Sequence, residues 1–250
     1  QLPDLKLIAM AATGYDVMDV EACRERGVAV ANIRNYAVHT VPEHAFALIF
    51  ALRRNLMAYR DDVLNGRWQT EEQFCFFDYP IRDLHGSTLG IFGEGVLGQA
   101  TAQIARALGM KVLFADHAPP KVPGVEFTPF EQVLAESDVL SLHCPYSPAT
   151  HHSMSENQFA RMKQTAFLIN TARGPIVDEA ALVNALKSGQ IAGAGLDVFE
   201  NEPNPDSSLT SHDNIACTPH IGAATGEAQD RIGVELANGI NDFLKKDVLV

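Results

Sequence analysis

The chain has 250 residues, 46% of them apolar, enough for one large domain or two moderate ones around a buried core. Its formal net charge of −12 argues against nucleic acid and against anionic membrane surfaces, since both attract clustered Lys and Arg. No apolar run approaches the roughly 18–20 residues that span a bilayer, so no membrane partner is expected.

The chain opens Gln1-Leu-Pro-Asp4, without Met and without a basic-then-apolar leader, so no export signal is expected. Cys23, Cys75, Cys144 and Cys217 are scattered, with no C-x-x-C spacing. They suggest neither a disulfide framework nor a metal site, and they fit reduced thiols in a cytoplasmic protein. Residues 5–10 read as a strand and residues 11–16 as a turn. Asp19 is placed to cap a short helix that ends near Gly27, and residues 28–31 form a second strand, completing a βαβ unit. The loop from Asn32 to Thr40 leads into one long predicted helix, residues 41–64, with Pro42 in its first turn. Gly66-Arg-Trp68 ends it. Residues 69–86 follow neither period. The aromatic stretch Phe74-Cys-Phe-Phe-Asp-Tyr-Pro80 reads either as a local core patch or as a surface that packs on a second subunit.

From residue 87 the alternation becomes regular. Strands are predicted at 88–92, 111–115, 138–142, 166–170, 194–198 and 215–218. Helices are predicted near 95–109, 129–136, 155–162 and 178–187. A polar loop fills 200–214, and one long helix runs from Thr225 to Leu249. This order predicts an α/β fold, a doubly wound parallel sheet with helices on both faces.

The most informative stretch lies at the start of that region. An apolar run, Leu89 to Phe92, meets Gly93, Gly95 and Gly98 in the spacing G-x-G-x-x-G, and Val96, Ala100, Ile104 and Leu108 then recur at helical period. Gly93 permits a tight turn, Gly95 lets a pyrophosphate approach the backbone, and Gly98 allows close helix–strand packing. The helix N-terminus offers free N–H groups and partial positive charge. A second strand ends in Asp116, 18 residues after the last glycine, where a carboxylate accepts hydrogen bonds from a ribose 2′-OH. Strand, glycines, helix, strand and acid in this order point to NAD.

Three polar residues follow later strands, and ligands of open α/β sheets bind at the carboxyl ends of strands. Arg173 follows Phe167-Leu-Ile-Asn170, Glu202 follows Leu196-Asp-Val-Phe199, and His220 follows Ile215-Ala-Cys-Thr-Pro219. Singly, each has a plainer reading as an ion-pair partner, a solvated loop acid or a helix cap. Together they match the needs of 2-keto acid reduction. A guanidinium holds carboxylate and keto oxygen, and an imidazolium gives a proton to the forming alkoxide. A nearby carboxylate favours the charged imidazole and raises its pKa.

Asn170-Thr-Ala-Arg-Gly-Pro-Ile-Val-Asp178, Gly195-Leu-Asp-Val-Phe-Glu-Asn-Glu-Pro203 and Thr218-Pro-His-Ile-Gly222 resemble the signatures of the NAD-dependent D-2-hydroxyacid dehydrogenase family. The resemblance covers residues 5–248. It implies that Arg173 binds substrate, that Glu202 pairs with the catalytic His220, and that His220 donates the proton. It further implies backbone contacts from Val96 and Leu97 to pyrophosphate, Asp116 at the adenosine ribose, and Thr171 and Asp197 at the nicotinamide amide. His143-Cys144-Pro145 would form the wall beside the adenine, and the backbone of Thr13 and Gly14 would hold the substrate carboxylate.

Asn32-Ile-Arg-Asn-Tyr36, Val41-Pro-Glu-His44 and Phe74–Pro80 are similar to the glycerate dehydrogenase, or hydroxypyruvate reductase, branch of that family. Hydroxypyruvate or glyoxylate is then the favoured substrate, with phosphohydroxypyruvate and bulkier keto acids as alternatives. A homodimer is the usual assembly, and an NAD-sensing corepressor on the same fold is the alternative function. The implied organisation is a flavodoxin-like substrate domain built from residues 1–40 and 222–250, flanking an NAD domain at 41–221, with substrate held between the two.

Two departures from the family pattern stand out. Glu94 occupies the first variable position of the glycine turn, where an apolar or aromatic residue is usual. A carboxylate there repels pyrophosphate unless it points to solvent. The substrate domain is also N-terminally incomplete against a typical domain of about 100 residues, which predicts a preceding segment on the order of 60–80 residues.

Overall fold

The computed structural model describes residues 2–116, 122–204 and 207–246. They divide into two compact units, one from residues 1–40 and 223–250 and the other from residues 41–222.

In the first unit, strands β1 (Leu7–Met10) and β2 (Ala29–Asn32) pair in parallel, joined by helix α1 (Val20–Glu25). Asp19 caps α1, as its spacing predicts, by accepting from the Ala22 N–H at 2.9 Å.

The second unit takes up most of helix α2 (Thr40–Arg53), followed by α3 (Leu56–Leu64) and α4 (Arg67–Glu71). Here the structure corrects the single helix expected over 41–64. Asn55 adopts a left-handed conformation, φ 49° and ψ 42°, and its side-chain amide donates to the Pro80 carbonyl at 2.5 Å. Asn tolerates that region better than most residues, so a distant carbonyl breaks the helix. Gly66 is likewise left-handed, φ 77°, and starts α4 where the sequence suggested an end.

Strands β3 (Thr88–Phe92), β4 (Lys111–Asp116), β5 (Phe127–Pro129), β6 (Val139–Leu142), β7 (Phe167–Asn170), β8 (Gly193–Leu196) and β9 (Ile215–Cys217) form one sheet. Its order is β5-β4-β3-β6-β7-β8-β9, and every pairing is parallel. The expected doubly wound α/β fold is thus present. Three-residue β5 escaped the sequence reading because it is too short to show a period. Its Pro129 lacks an N–H, which an edge strand tolerates. The connecting helices are α5 (Val96–Ala107), α6 (Phe130–Glu136), α7 (Glu156–Phe159), α8 (Glu179–Lys187) and α9 (Ser207–Thr210). Helix α7 is half its expected length, and α9 lies inside the polar loop. The final helix of the first unit, α10 (Gly226–Lys246), matches its expected start; the expected residues 247–249 lie outside the described ones.

Alternation along the strands covers both faces. Leu140, Leu142, Leu168 and Leu196 pack with Val133, Leu134, Phe159 and Leu182. Ile91, Val139 and Ile169 pack with Ile49 and Leu52 of α2 and with Ala102 and Ala105 of α5. Apolar cover on both faces is why these strands read as near-continuous hydrophobic runs. The sheet order reverses between β3 and β6, and open α/β sheets bind ligands at the carboxyl ends of the strands beside such a switch point. Among the described residues no helix is long and apolar enough to cross a membrane.

Gly90 in β3 sets the spacing of one layer, since a Cβ there would strike Ser137 Oγ and stand 2.7 Å from Val133 Cγ1. Gly90→Ala is expected to lower unfolding free energy by about 1–3 kcal/mol through overpacking. Denaturant titration measures this, and an unchanged midpoint and slope would contradict it.

Candidate active site

The cofactor edge is built first by the backbone. Gly93 has φ 114°, and a Cβ on it would collide with the His143–Cys144 peptide. A Cβ on Gly98 would collide with the Gly93 carbonyl. Gly95 precedes α5 in extended conformation, no side chain caps the helix, and nothing lies within 4 Å of where its Cβ would be. A pyrophosphate therefore has open backbone at Gly95 and the N–H groups of Val96 and Leu97 before it. Asp116 ends β4 exposed, at the position for a ribose. Thr171 follows β7, and its buried Oγ1 has no hydrogen-bond partner among the described residues, as befits a group that meets a ligand amide. These features fit a dinucleotide.

Glu94 is not directed to solvent. It is 8% exposed, and its charge adds to burial in pushing the Cys144 thiol up to about 12. Cys144 is therefore a buried, unreactive thiol. Next to it His143 N–H donates to the Phe92 carbonyl at 2.7 Å, which ties the His143-Cys144-Pro145 stretch to the glycine turn. The His143 ring lies 2.9 Å from Ser141 Oγ.

The chemical edge lies at the ends of β7, β8 and β9. His220 Nδ1 and Glu202 Oε2 are 2.6 Å apart, and Glu202 Oε1 accepts from the Phe199 N–H at 3.0 Å. His220 is left-handed, φ 54°, and half exposed. Phe199, Glu202, Cys217, Thr218, Pro219 and His220 line a cavity of about 570 Å³.

Asp197 stands just past β8, 2% exposed. Its Oδ1 accepts from Thr218 Oγ1 at 2.6 Å and from Ile221 N–H at 2.8 Å, and its Oδ2 accepts from Gly222 N–H at 2.7 Å. Burial pushes this carboxyl up, but His44, Thr218, Ile221 and Gly222 outweigh it and hold the pKa below the ordinary carboxylate value. The family resemblance implies a nicotinamide contact for Asp197; what the structure shows is that it anchors the turn that carries His220.

Arg173 sits in its own turn after β7, where its Nη1 donates to the Ala172 carbonyl and Asn170 Nδ2 donates to the Arg173 carbonyl. Gly174 presses against the Phe199–Glu200 backbone. The Glu179 N–H donates to Glu200 Oε1 and the Glu200 N–H to Glu179 Oε1, so the loops of Arg173 and Glu202 are clamped together. His152 Nε2 adds a contact to Glu200 Oε1 at 2.9 Å. Glu179, Glu200 and His152 carried no local signal of this role. In the first unit, Thr13 Oγ1 donates to the Ile33 carbonyl, and Asn32 Nδ2 donates to the Thr13 carbonyl, so the Thr13–Gly14 loop is fixed onto β2 and the residue after it.

A parallel sheet with a glycine turn at its switch point and a His–Glu pair on the same carboxyl edge defines a dinucleotide-dependent oxidoreductase. The family model for the NAD-binding domain of D-isomer specific 2-hydroxyacid dehydrogenases matches residues 46–222. Glycerate dehydrogenase of Methylorubrum extorquens is 48% identical over 247 residues, covering 98% of this chain and 77% of the relative. Hydroxypyruvate reductase of Blautia hydrogenotrophica is 39% identical, covering 97% and 77%. The crystal structure of D-lactate dehydrogenase from Aquifex aeolicus, complexed with NAD and lactic acid, superposes with a TM-score of 0.87 at 35% identity, covering 98% and 78%. The chain belongs to the NAD-dependent D-2-hydroxyacid dehydrogenase family, as its motifs led us to expect.

Burial holds the His143 pKa at about 4, against 6.5 for a free imidazole. Between these values the unfolded chain binds the proton and the folded chain does not. The stability from neutral His143 is therefore complete above pH 6.5 and is lost as pH falls toward 4. At 1.36 kcal/mol per unit the loss is roughly 3 kcal/mol. Urea titrations at pH 7 and pH 4.5 should show a smaller drop for His143→Gln than for the parent. Equal drops would contradict the assignment.

Proposed function

We propose that this chain reduces a small 2-keto acid, hydroxypyruvate or glyoxylate, to the D-2-hydroxy acid with NADH. The observation that carries the reading is the 2.6 Å pairing of His220 with Glu202 on the rim of the 570 Å³ cavity. Relatives named glycerate dehydrogenase, hydroxypyruvate reductase and glyoxylate reductase support it.

Each residue's part follows from its chemistry. Glu202 engages Nδ1, which leaves Nε2 of His220 as the nitrogen that faces substrate. The carboxylate holds the ring in place, and the Phe199 N–H keeps that carboxylate aimed. Arg173 supplies planar, paired donors for the substrate carboxylate and keto oxygen. Bound NADH supplies the hydride. Gly93, Gly95 and Gly98 with the N–H groups of Val96 and Leu97 would hold its pyrophosphate, Asp116 the ribose, His143-Cys144-Pro145 the adenine, and Thr171 and Asp197 the nicotinamide amide. Asp116 favours NAD, because a carboxylate repels a 2′-phosphate. His220 then passes its Nε2 proton to the alkoxide oxygen as the C–H bond forms, and becomes neutral.

The same reading places the protein in the cytoplasm as a homodimer. Support for the dimer comes from Leu64, Trp68, Phe74 and Phe77, which are 66%, 46%, 93% and 77% exposed around α3, α4 and the aromatic stretch. Phe76 is the core-like member, packed on Tyr59 and beneath Arg67. Sedimentation of Phe77→Glu is expected to show monomer where the parent shows dimer; a parent that sediments as monomer would reject the assembly.

NADH absorbance with hydroxypyruvate and glyoxylate tests the reaction. His220→Ala should lower turnover about 10²–10⁴-fold while NADH still binds. Unchanged turnover in that variant would remove His220 from the mechanism, and NADH binding without turnover in the parent would favour the corepressor alternative.

A further inference from the structure

His220 occupies a backbone conformation that non-glycine residues rarely adopt, with φ 54°. Such a position is strained and persists only where the surroundings over-determine it. The source of that constraint is visible. His220 N–H donates to the Asp197 carbonyl at 2.8 Å and to the Thr218 carbonyl at 3.1 Å. The residues on either side of it, Thr218, Ile221 and Gly222, all donate to the Asp197 carboxylate. The turn is wrapped around one buried anion.

That anion reaches a further residue on a different element. His44 Nε2, on α2, lies 2.8 Å from Thr218 Oγ1 and 3.5 Å from Asp197 Oδ1. The direction of the bond is forced. Thr218 has one hydroxyl proton, and it goes to the ionised Asp197, which can only accept. The Thr218 oxygen can then only accept from His44, so His44 carries its proton on Nε2. The imidazole also backs onto the far end of the turn, where a Cβ on Gly222 would stand 2.7 Å from Asp197 Oδ2 and 3.3 Å from His44 Cδ2. His44 thus touches both ends of the five-residue turn that has His220 at its centre. It is mostly buried, with its side chain 17% exposed, on a helix packed against the sheet.

We propose that His44 is a positioning residue for His220, acting through the Thr218 hydroxyl and the Asp197 carboxylate. It touches no reacting atom. Its donor holds the Thr218 hydroxyl in the orientation that serves Asp197, and the turn in turn sets His220 against Glu202. The inference rests on His220 being the proton donor.

The test compares the parent chain with His44→Leu, which removes the donor, and His44→Gln, whose amide nitrogen reaches the place of Nε2. In the parent, histidine ¹⁵N NMR should show His44 protonated at Nε2. His44→Leu should lower kcat for hydroxypyruvate roughly tenfold or more, since a small misplacement of a catalytic group is costly. The NMR titration midpoint of His220 should move in the Leu variant, and His44→Gln should restore both kcat and midpoint. A Leu variant with parental kcat and His220 midpoint, or a His44 protonated only at Nδ1, would overturn the proposal. If the Leu variant does not fold, Thr218→Val breaks the same link from the other side. The same loss of kcat supports the proposal there, and parental kcat overturns it. A parent without turnover, whose His220 midpoint still moves in the Leu variant, would reject the proposed reaction and leave the positioning intact.

Discussion

Asp197 carries a negative charge at a place that is 2% exposed, and the carboxyl edge of the second unit is arranged around it. A buried carboxylate without donors would take up a proton or destabilise the fold. Here Thr218 Oγ1, Ile221 N–H and Gly222 N–H converge on it. Hydrogen bonds to charged groups contribute about 1.5–3 kcal/mol each, and these three are set against both the desolvation of the carboxylate and the left-handed residue at His220. The anion stabilises an unusual backbone, and that backbone brings an imidazole to a carboxylate on a neighbouring loop. Without Asp197 the sequence Thr218-Pro-His-Ile-Gly222 has no reason to turn where it does.

The neighbouring loops are held by close packing rather than by charge alone. A side chain at 174 has no room against the Phe199–Glu200 backbone, so glycine there lets the turn after β7 press onto the loop after β8. The paired Glu179 and Glu200 bonds then lock the start of α8 to the loop that carries Glu202. His220, Glu202 and Arg173 thus stand on turns braced by buried strands, which is how a site keeps its geometry.

Much of this was legible in the sequence, and the reasons for the rest are physical. Strands buried on both faces announce themselves as apolar runs, and Gly93 and Gly98 announce a turn because a Cβ fits at neither. Arg173, Glu202 and His220 were visible as polar residues following strands. What could not be read is what depends on contacts distant in sequence. The break at Asn55 is fixed by a bond to Pro80, and the turn at His220 by a carboxylate 23 residues earlier. His44 reads locally as one polar position on a helix; its bond to Thr218 spans 174 residues. Glu94 could be flagged as an odd residue, but its burial beside Cys144 depends on the packing of β6 against β3.

His220 and Glu202 stand 2.6 Å apart, and the proposed reaction needs that pair. NADH-linked hydroxypyruvate turnover, compared between the parent chain and Glu202→Gln, is the decisive measurement. Glutamine keeps the shape of the pair and removes its charge, so kcat is expected to fall at least about tenfold in the variant. Parental kcat in Glu202→Gln would contradict the role given to the pair.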